Sequence, residues 1–224
     1  MSQKLILILI LCSTVNIFGQ DSKPSNIVMM IGDGMGLSAI SSGMYSNNNY
    51  TSLERSEYIG LSKTHSFDDL VTDSAASATA MSSGVKTNNK VIGLDSNDNS
   101  VETILEMCIK LGYSTAIVVT SSIVHASPAS YYAHVENRYE YDKIANQLSK
   151  SKVDFFIGGG EKYFINRSDK RNLIKEMNKY YYYEIEDFQY GVKNWNRKQT
   201  LRSERFECFV TLADKPRVPL RKVS

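Results

Sequence analysis

Three short clusters hold the side chains whose types and spacing can do chemistry. In Gly32-Asp33-Gly34-Met35-Gly36 an aspartate sits between two glycines, which let the backbone come close to a bound ion, and a carboxylate there can hold a hard metal cation. An Asp-Gly turn in which Asp33 bonds its own backbone is the competing reading. A dinucleotide fingerprint is excluded, because Gly-x-Gly-x-x-Gly needs glycine at 37 and Leu37 stands there. The second cluster is Val71 to Met81, where Asp73 is a strong helix N-cap and Ser74 falls in the first turn of a Ser/Ala-rich helix. Unsatisfied N–H groups and the helix dipole favour an anion at that point, so the Ser74 hydroxyl is placed to attack phosphorus. The same spacing also suits a small-residue helix packed tightly on a neighbour. The third cluster is His125, Ser127 and Arg138. Ser127 and His125 can serve a metal, and a guanidinium offers a two-pronged fork to phosphate. Equally, Ser127 can be a cap before Pro128, and Arg138 can pair with Glu136 or Asp142 on a solvated face.

The elements around these clusters read as alternating strands and helices. Asn26 to Ile31 is a continuous apolar run that predicts a fully buried strand ending at the Asp33 loop. Ser100 is placed to cap a helix through Val101, Ile104, Leu105, Cys108 and Leu111, closed by Gly112. Thr115 to Thr120 predicts a second buried strand. Ser127-Pro128 opens a helix to about Leu148, which puts Arg138 about three turns in and on one face with His134. Val153 to Ile157 is a third strand, ended by Gly158-Gly159-Gly160. This alternation predicts an α/β architecture with a parallel sheet, and functional loops at the carboxyl ends of its strands.

The chain has 224 residues, 42% hydrophobic and 22% charged, with net charge +2. It is long enough to bury a sizeable core without disulfides, and its near-neutral charge gives no reason to expect nucleic acid as a partner. Residues 1–19 combine a basic start with an apolar run, Leu5 to Leu11, too short to span a bilayer, and read as a signal peptide. That predicts an exported chain, periplasmic or extracellular, with no later membrane span. Cys108 reads as a buried thiol, and a disulfide to Cys208 is the alternative in an exported protein. Residues 193–224 hold nine Lys/Arg against three Asp/Glu and show weak helix and strand patterns, so they read as a divergent basic tail.

Taken together, Asn26 to Leu37 (NIVMMIGDGMGL), Val71 to Thr87 (VTDSAASATAMSSGVKT), His125 to Arg138 (HASPASYYAHVENR) and Asp154 to Phe164 (DFFIGGGEKYF) resemble the alkaline phosphatases in order and spacing. The resemblance implies a three-layer αβα sandwich with a mostly parallel sheet, spread over residues 20–192. It implies hydrolysis of phosphate monoesters, with Ser74 as the nucleophile that forms a phosphoserine and Arg138 as the clamp on the phosphate oxygens. Asp73 would position Arg138 and the helix start. Asp33 would bridge a zinc and a magnesium, Ser127 would ligate the magnesium with His125 beside it, and Ser74 would complete this metal-facing group. Two Zn2+ and one Mg2+ are the implied cofactors. The family is commonly dimeric, which implies a homodimer. Family members are longer, and their C-terminal half supplies a magnesium-binding glutamate and most zinc ligands. Here the histidines are His65, His125 and His134 only, too few for two closed zinc sites. The expectation is therefore an incomplete fold and a C-terminally truncated phosphatase with little activity of its own. The alternative is an exported phosphate-binding or scaffold remnant without catalysis. A sulfatase is disfavoured, because Ser74 is followed by Ala-Ala-Ser-Ala rather than x-Pro-x-Arg.

Overall fold

The computed structural model describes residues 26–177 and the backbone of a strand at 206–213. The signal-peptide segment 1–19 lies outside the described residues. Four strands form one sheet in the order β1-β4-β2-β3: β1 Ile27–Gly32, β2 Ser114–Ser122, β3 Phe155–Gly159 and β4 Phe206–Ala213. Every pairing is parallel, with Ile27 opposite Cys208 and Gly32 opposite Ala213 at the two ends of the β1–β4 register. Parallel neighbours require crossovers, and helices supply them. These are α1 Leu37–Ser46, α2 Ser74–Ser83, α3 Ile104–Lys110, α4 Ala126–Ala129, α5 Tyr141–Lys150, α6 Lys162–Ile165 and α7 Leu173–Met177. The α/β class and parallel sheet agree with the sequence reading.

The core forms where β2 meets the helices. Ile117 and Val119 from the strand pack with Leu105 of α3, Ile144 and Leu148 of α5, Leu173 of α7 and the side chain of Tyr131. Each fully buried aliphatic side chain of this kind contributes roughly 1.5–3 kcal/mol. Among the described residues no helix is long and apolar enough to cross a membrane.

Four expectations change. First, β1 is not fully buried: Val28 and Met30 are 60% and 78% exposed, because none of the described elements packs over that face of the strand. Second, the helix expected after Ser100 starts at Ile104. Thr103 caps it in a reciprocal box with Glu106, while Ser100 is held in a bridge to Leu94. Third, the helix expected from Ser127 to about Leu148 is interrupted. α4 ends at Ala129, and Val135 pairs with Ile92 through two 2.9 Å backbone hydrogen bonds, so tertiary pairing draws residues 133–135 out of helical geometry. Arg138 consequently lies on the loop before α5, not on a helix face. Fourth, the weakly patterned tail contributes β4, in the middle of the sheet; its remaining residues lie outside those described.

Candidate active site

The site is built where the loop after β1, the start of α2 and the start of α4 converge. Gly34 has φ +69°, a conformation open to glycine without strain, and it turns the chain sharply beyond Asp33. Asp33 thereby reaches both serines: its Oδ1 accepts from Ser74 Oγ at 3.2 Å and its Oδ2 from Ser127 Oγ at 2.6 Å. The simple Asp-Gly turn is thus not the whole role of Asp33. One carboxylate gathers two hydroxyls that are 53 residues apart in the chain.

Ser74 is the first residue of α2, as its spacing predicts, and Asp73 is the N-cap. The Ala-rich face behind it is buried, with Ala75, Ala76 and Ala78 nearly inaccessible. These small side chains let α2 pack closely against α4 while its N-terminus stays half-exposed. The Asp73 carboxylate does two tasks. Oδ1 accepts from the backbone N–H of Ala76 at 2.9 Å, and Oδ2 accepts from Arg138 Nη1 at 3.0 Å. The arginine is thus carried to the helix start by the residue that caps the helix, and not by Glu136 or Asp142.

His125 lies at the N-terminal boundary of α4. Its ring stacks on Tyr141, with centroids 6.4 Å apart. Asp33, Ser74 and Ser127 are joined by hydrogen bonds, and His125 borders them two residues before Ser127. Among the described residues no group of three or more His, Cys, Asp or Glu side chains gathers to hold a metal. The carboxylate and hydroxyl oxygens of Asp33 and Ser127 match the hard donors that magnesium takes, whereas the sulfur and imidazole set of a closed zinc site is not assembled. Cys108 is buried on α3, and the Cys208 side chain lies outside those described.

Sequence reasoning missed Asn89. Its Oδ1 accepts from the Asp73 backbone N–H at 2.8 Å, and its Nδ2 donates to the Val71 carbonyl at 2.9 Å. Its neighbour Lys90, at φ +73°, offers the carbonyl that receives the Arg138 N–H at 2.8 Å. One turn therefore grips the cap, and through it the nucleophile's helix, together with the arginine. The only sequence signal was Asn88-Asn89, a pair suited to turns.

A family model described as alkaline phosphatase matches residues 24–205. Alkaline phosphatase 4 of Bacillus subtilis is 43% identical over 168 residues, which is 68% of this chain and 36% of that protein. The alkaline phosphatase of Escherichia coli is 35% identical over 173 residues, 64% of this chain and 37% of that one. Among solved structures, the alkaline phosphatase of the Antarctic bacterium TAB5 superposes with a TM-score of 0.72 at 32% identity, covering 85% of this chain and 65% of that chain. A histidine-to-aspartate variant of the TAB5 enzyme, with Mg bound in its M3 site, gives a TM-score of 0.73. The chain spans little more than a third of the length of these two curated relatives.

Proposed function

The chain belongs to the alkaline phosphatase family, and on that premise we propose that it carries the nucleophile of a phosphate monoester hydrolase that works through a phosphoserine on Ser74. The observation that carries this reading is the juxtaposition at the start of α2. A serine hydroxyl bonded to a carboxylate stands on a helix N-terminus, beside an arginine held by the same helix's cap.

Ser74 Oγ attacks phosphorus as its proton passes toward Asp33 Oδ1. The bond from phosphorus to the ester oxygen breaks, and the leaving oxygen takes up that proton as the alcohol departs. Water then attacks the same phosphorus, inorganic phosphate is released, and Ser74 regains its hydroxyl. Arg138 binds the phosphoryl oxygens through charge-assisted hydrogen bonds, and the free N–H groups of α2 add their field to the negative charge. Asp33 and Ser127 would hold magnesium, whose charge lowers the cost of gathering anions in the site. The two zinc ions implied by the family do not fit the described residues. The apolar segment Leu5 to Leu11 supports export as the setting.

The lack of a zinc set among the described residues favours a second reading, a phosphate-binding remnant without turnover. Metal analysis combined with p-nitrophenyl phosphate turnover at alkaline pH separates the two. Bound zinc with turnover supports the hydrolase. Phosphate binding with neither supports the remnant.

A further inference from the structure

An aromatic wall adjoins the proposed phosphate clamp and is used by none of the steps above. The Tyr141 ring lies 4.6 Å from that of Tyr163, and Tyr139 meets Tyr141 edge to face at 6.3 Å. This wall touches the site twice. Its Tyr141 end stacks on His125, and the Arg138 guanidinium lies 5.9 Å from the Tyr139 ring centre. The three tyrosines line an open cleft of about 480 Å³, together with Glu140, Asp142 and Lys143.

The charged side chains of the cleft already have partners. Lys143 is paired with Glu140, and Asp142 accepts from Ser168 Oγ at 2.9 Å. The surface offered to a ligand is therefore ring faces and edges rather than unsatisfied charge. Tyr139 is 61% exposed, so its ring is accessible to a ligand, and a planar ring laid on it gains offset or edge-to-face contact. A ring placed there would sit beside the guanidinium that holds the phosphoryl group.

We propose that Tyr139, Tyr141 and Tyr163 form a leaving-group subsite for phosphate monoesters whose alcohol carries a planar aromatic or heteroaromatic ring. The inference rests on Arg138 as the phosphate clamp, and its test is built to separate the two. Offset or edge-to-face contact between rings gives a modest, geometry-dependent gain. A planar leaving group therefore gains about two- to tenfold in affinity over a methyl group.

The test uses the full chain with phenylphosphonate and methylphosphonate, whose carbon–phosphorus bonds withstand the reaction, titrated by calorimetry. Phenylphosphonate is expected to bind about two- to tenfold tighter, with the preference lost in Tyr139→Ala and kept in Tyr139→Phe. Tyr163→Ala, read in parallel, should reduce the preference as well. Equal affinity for the two compounds, or a preference that survives Tyr139→Ala, overturns the subsite and leaves the clamp standing. Failure of methylphosphonate to bind, or binding unchanged by Arg138→Ala, shows that the clamp itself is wrong, and the subsite falls with it.

Discussion

Asp73 links stability to recognition within one side chain, since one carboxylate oxygen closes the α2 backbone and the other holds Arg138. Two substitutions pull these tasks apart. Asp73→Ala removes both and should cost about 1 kcal/mol in cap energy, read as a lower urea midpoint. It should also weaken phosphate binding. Asp73→Asn keeps a capping oxygen and loses the charge pair, so phosphate affinity should fall with the midpoint nearly unchanged. Parallel urea and phosphate titrations check this; equal loss of both quantities in the two variants would contradict the division of labour. Arg138→Ala removes hydrogen bonds to a charged group, each contributing about 1.5–3 kcal/mol. Phosphate affinity should drop at least tenfold, with magnesium binding scarcely altered. Loss of magnesium instead would show that Arg138 supports the metal residues.

Between α3 and the segment that leads to Arg138 lies a tie whose strength depends on pH. His134 Nδ1 faces the Gly93 carbonyl at 2.6 Å, and Nε2 faces Glu106 Oε1 at 3.0 Å. Both partners are acceptors, so both ring nitrogens donate and the imidazolium is the form that fits. The Glu106 hydrogen bond holds the His134 pKa above its ordinary value, against the effect of burial. Burial alone would raise the Glu106 carboxyl; its bonds from His134 and Thr103 outweigh this and hold it below the usual value. A raised histidine stabilises the fold fully below its unfolded pKa of about 6.5, and that contribution is lost as pH rises through the folded value. The Glu106 contribution is present above its unfolded pKa and lost as pH falls through the lowered one. Urea midpoints should therefore fall as pH rises above about 6.5, and His134→Gln should flatten this slope. An unchanged slope in the variant would remove His134 as its source. Which elements were readable from sequence follows from the same local-versus-distant contrast. The α2 helix was legible because Asp73 is a strong N-cap and a run of small Ser and Ala residues follows it from Ser74. Residues 130–138 were not, because the pairing of Val135 with Ile92 and the contacts of His134 come from segments 28 to 43 positions away. The convergence of Asp33, Ser74 and Ser127 was likewise invisible to spacing, and only the resemblance of the motifs brought them into one site.

At the scale of the whole molecule, the core around β2 is closed, while β1 carries exposed apolar side chains. Val28 and Met30 on β1 are exposed, and so are Tyr58, Ile59, Leu61 and Leu70, each of them about nine-tenths. Where such side chains adjoin, as Tyr58, Ile59 and Leu61 do along the chain, they mark a contact face or an aggregation liability. The chain should bind a hydrophobic dye while still folded, and it should associate as its concentration rises. Replacing Ile59 and Leu61 with serine should reduce both without lowering the urea midpoint, since neither side chain is packed. Dye binding that survives this change would place the sticky surface elsewhere, with β1 as the next candidate. The position of β4 between β1 and β2 shows why the tail escaped the sequence reading. A basic composition dominates residues 193–224, and the short run Phe206–Ala213 pairs only with strands some 90 residues or more upstream. The central claim, that Ser74 takes the phosphoryl group, is tested most directly by trapping it. The chain is mixed with p-nitrophenyl phosphate labelled in its phosphoryl group, quenched in acid, and digested to locate the label. Acid-stable label is expected on the Ser74 peptide and none in Ser74→Ala, whereas label on another residue, or undiminished label in Ser74→Ala, would contradict Ser74 as the nucleophile.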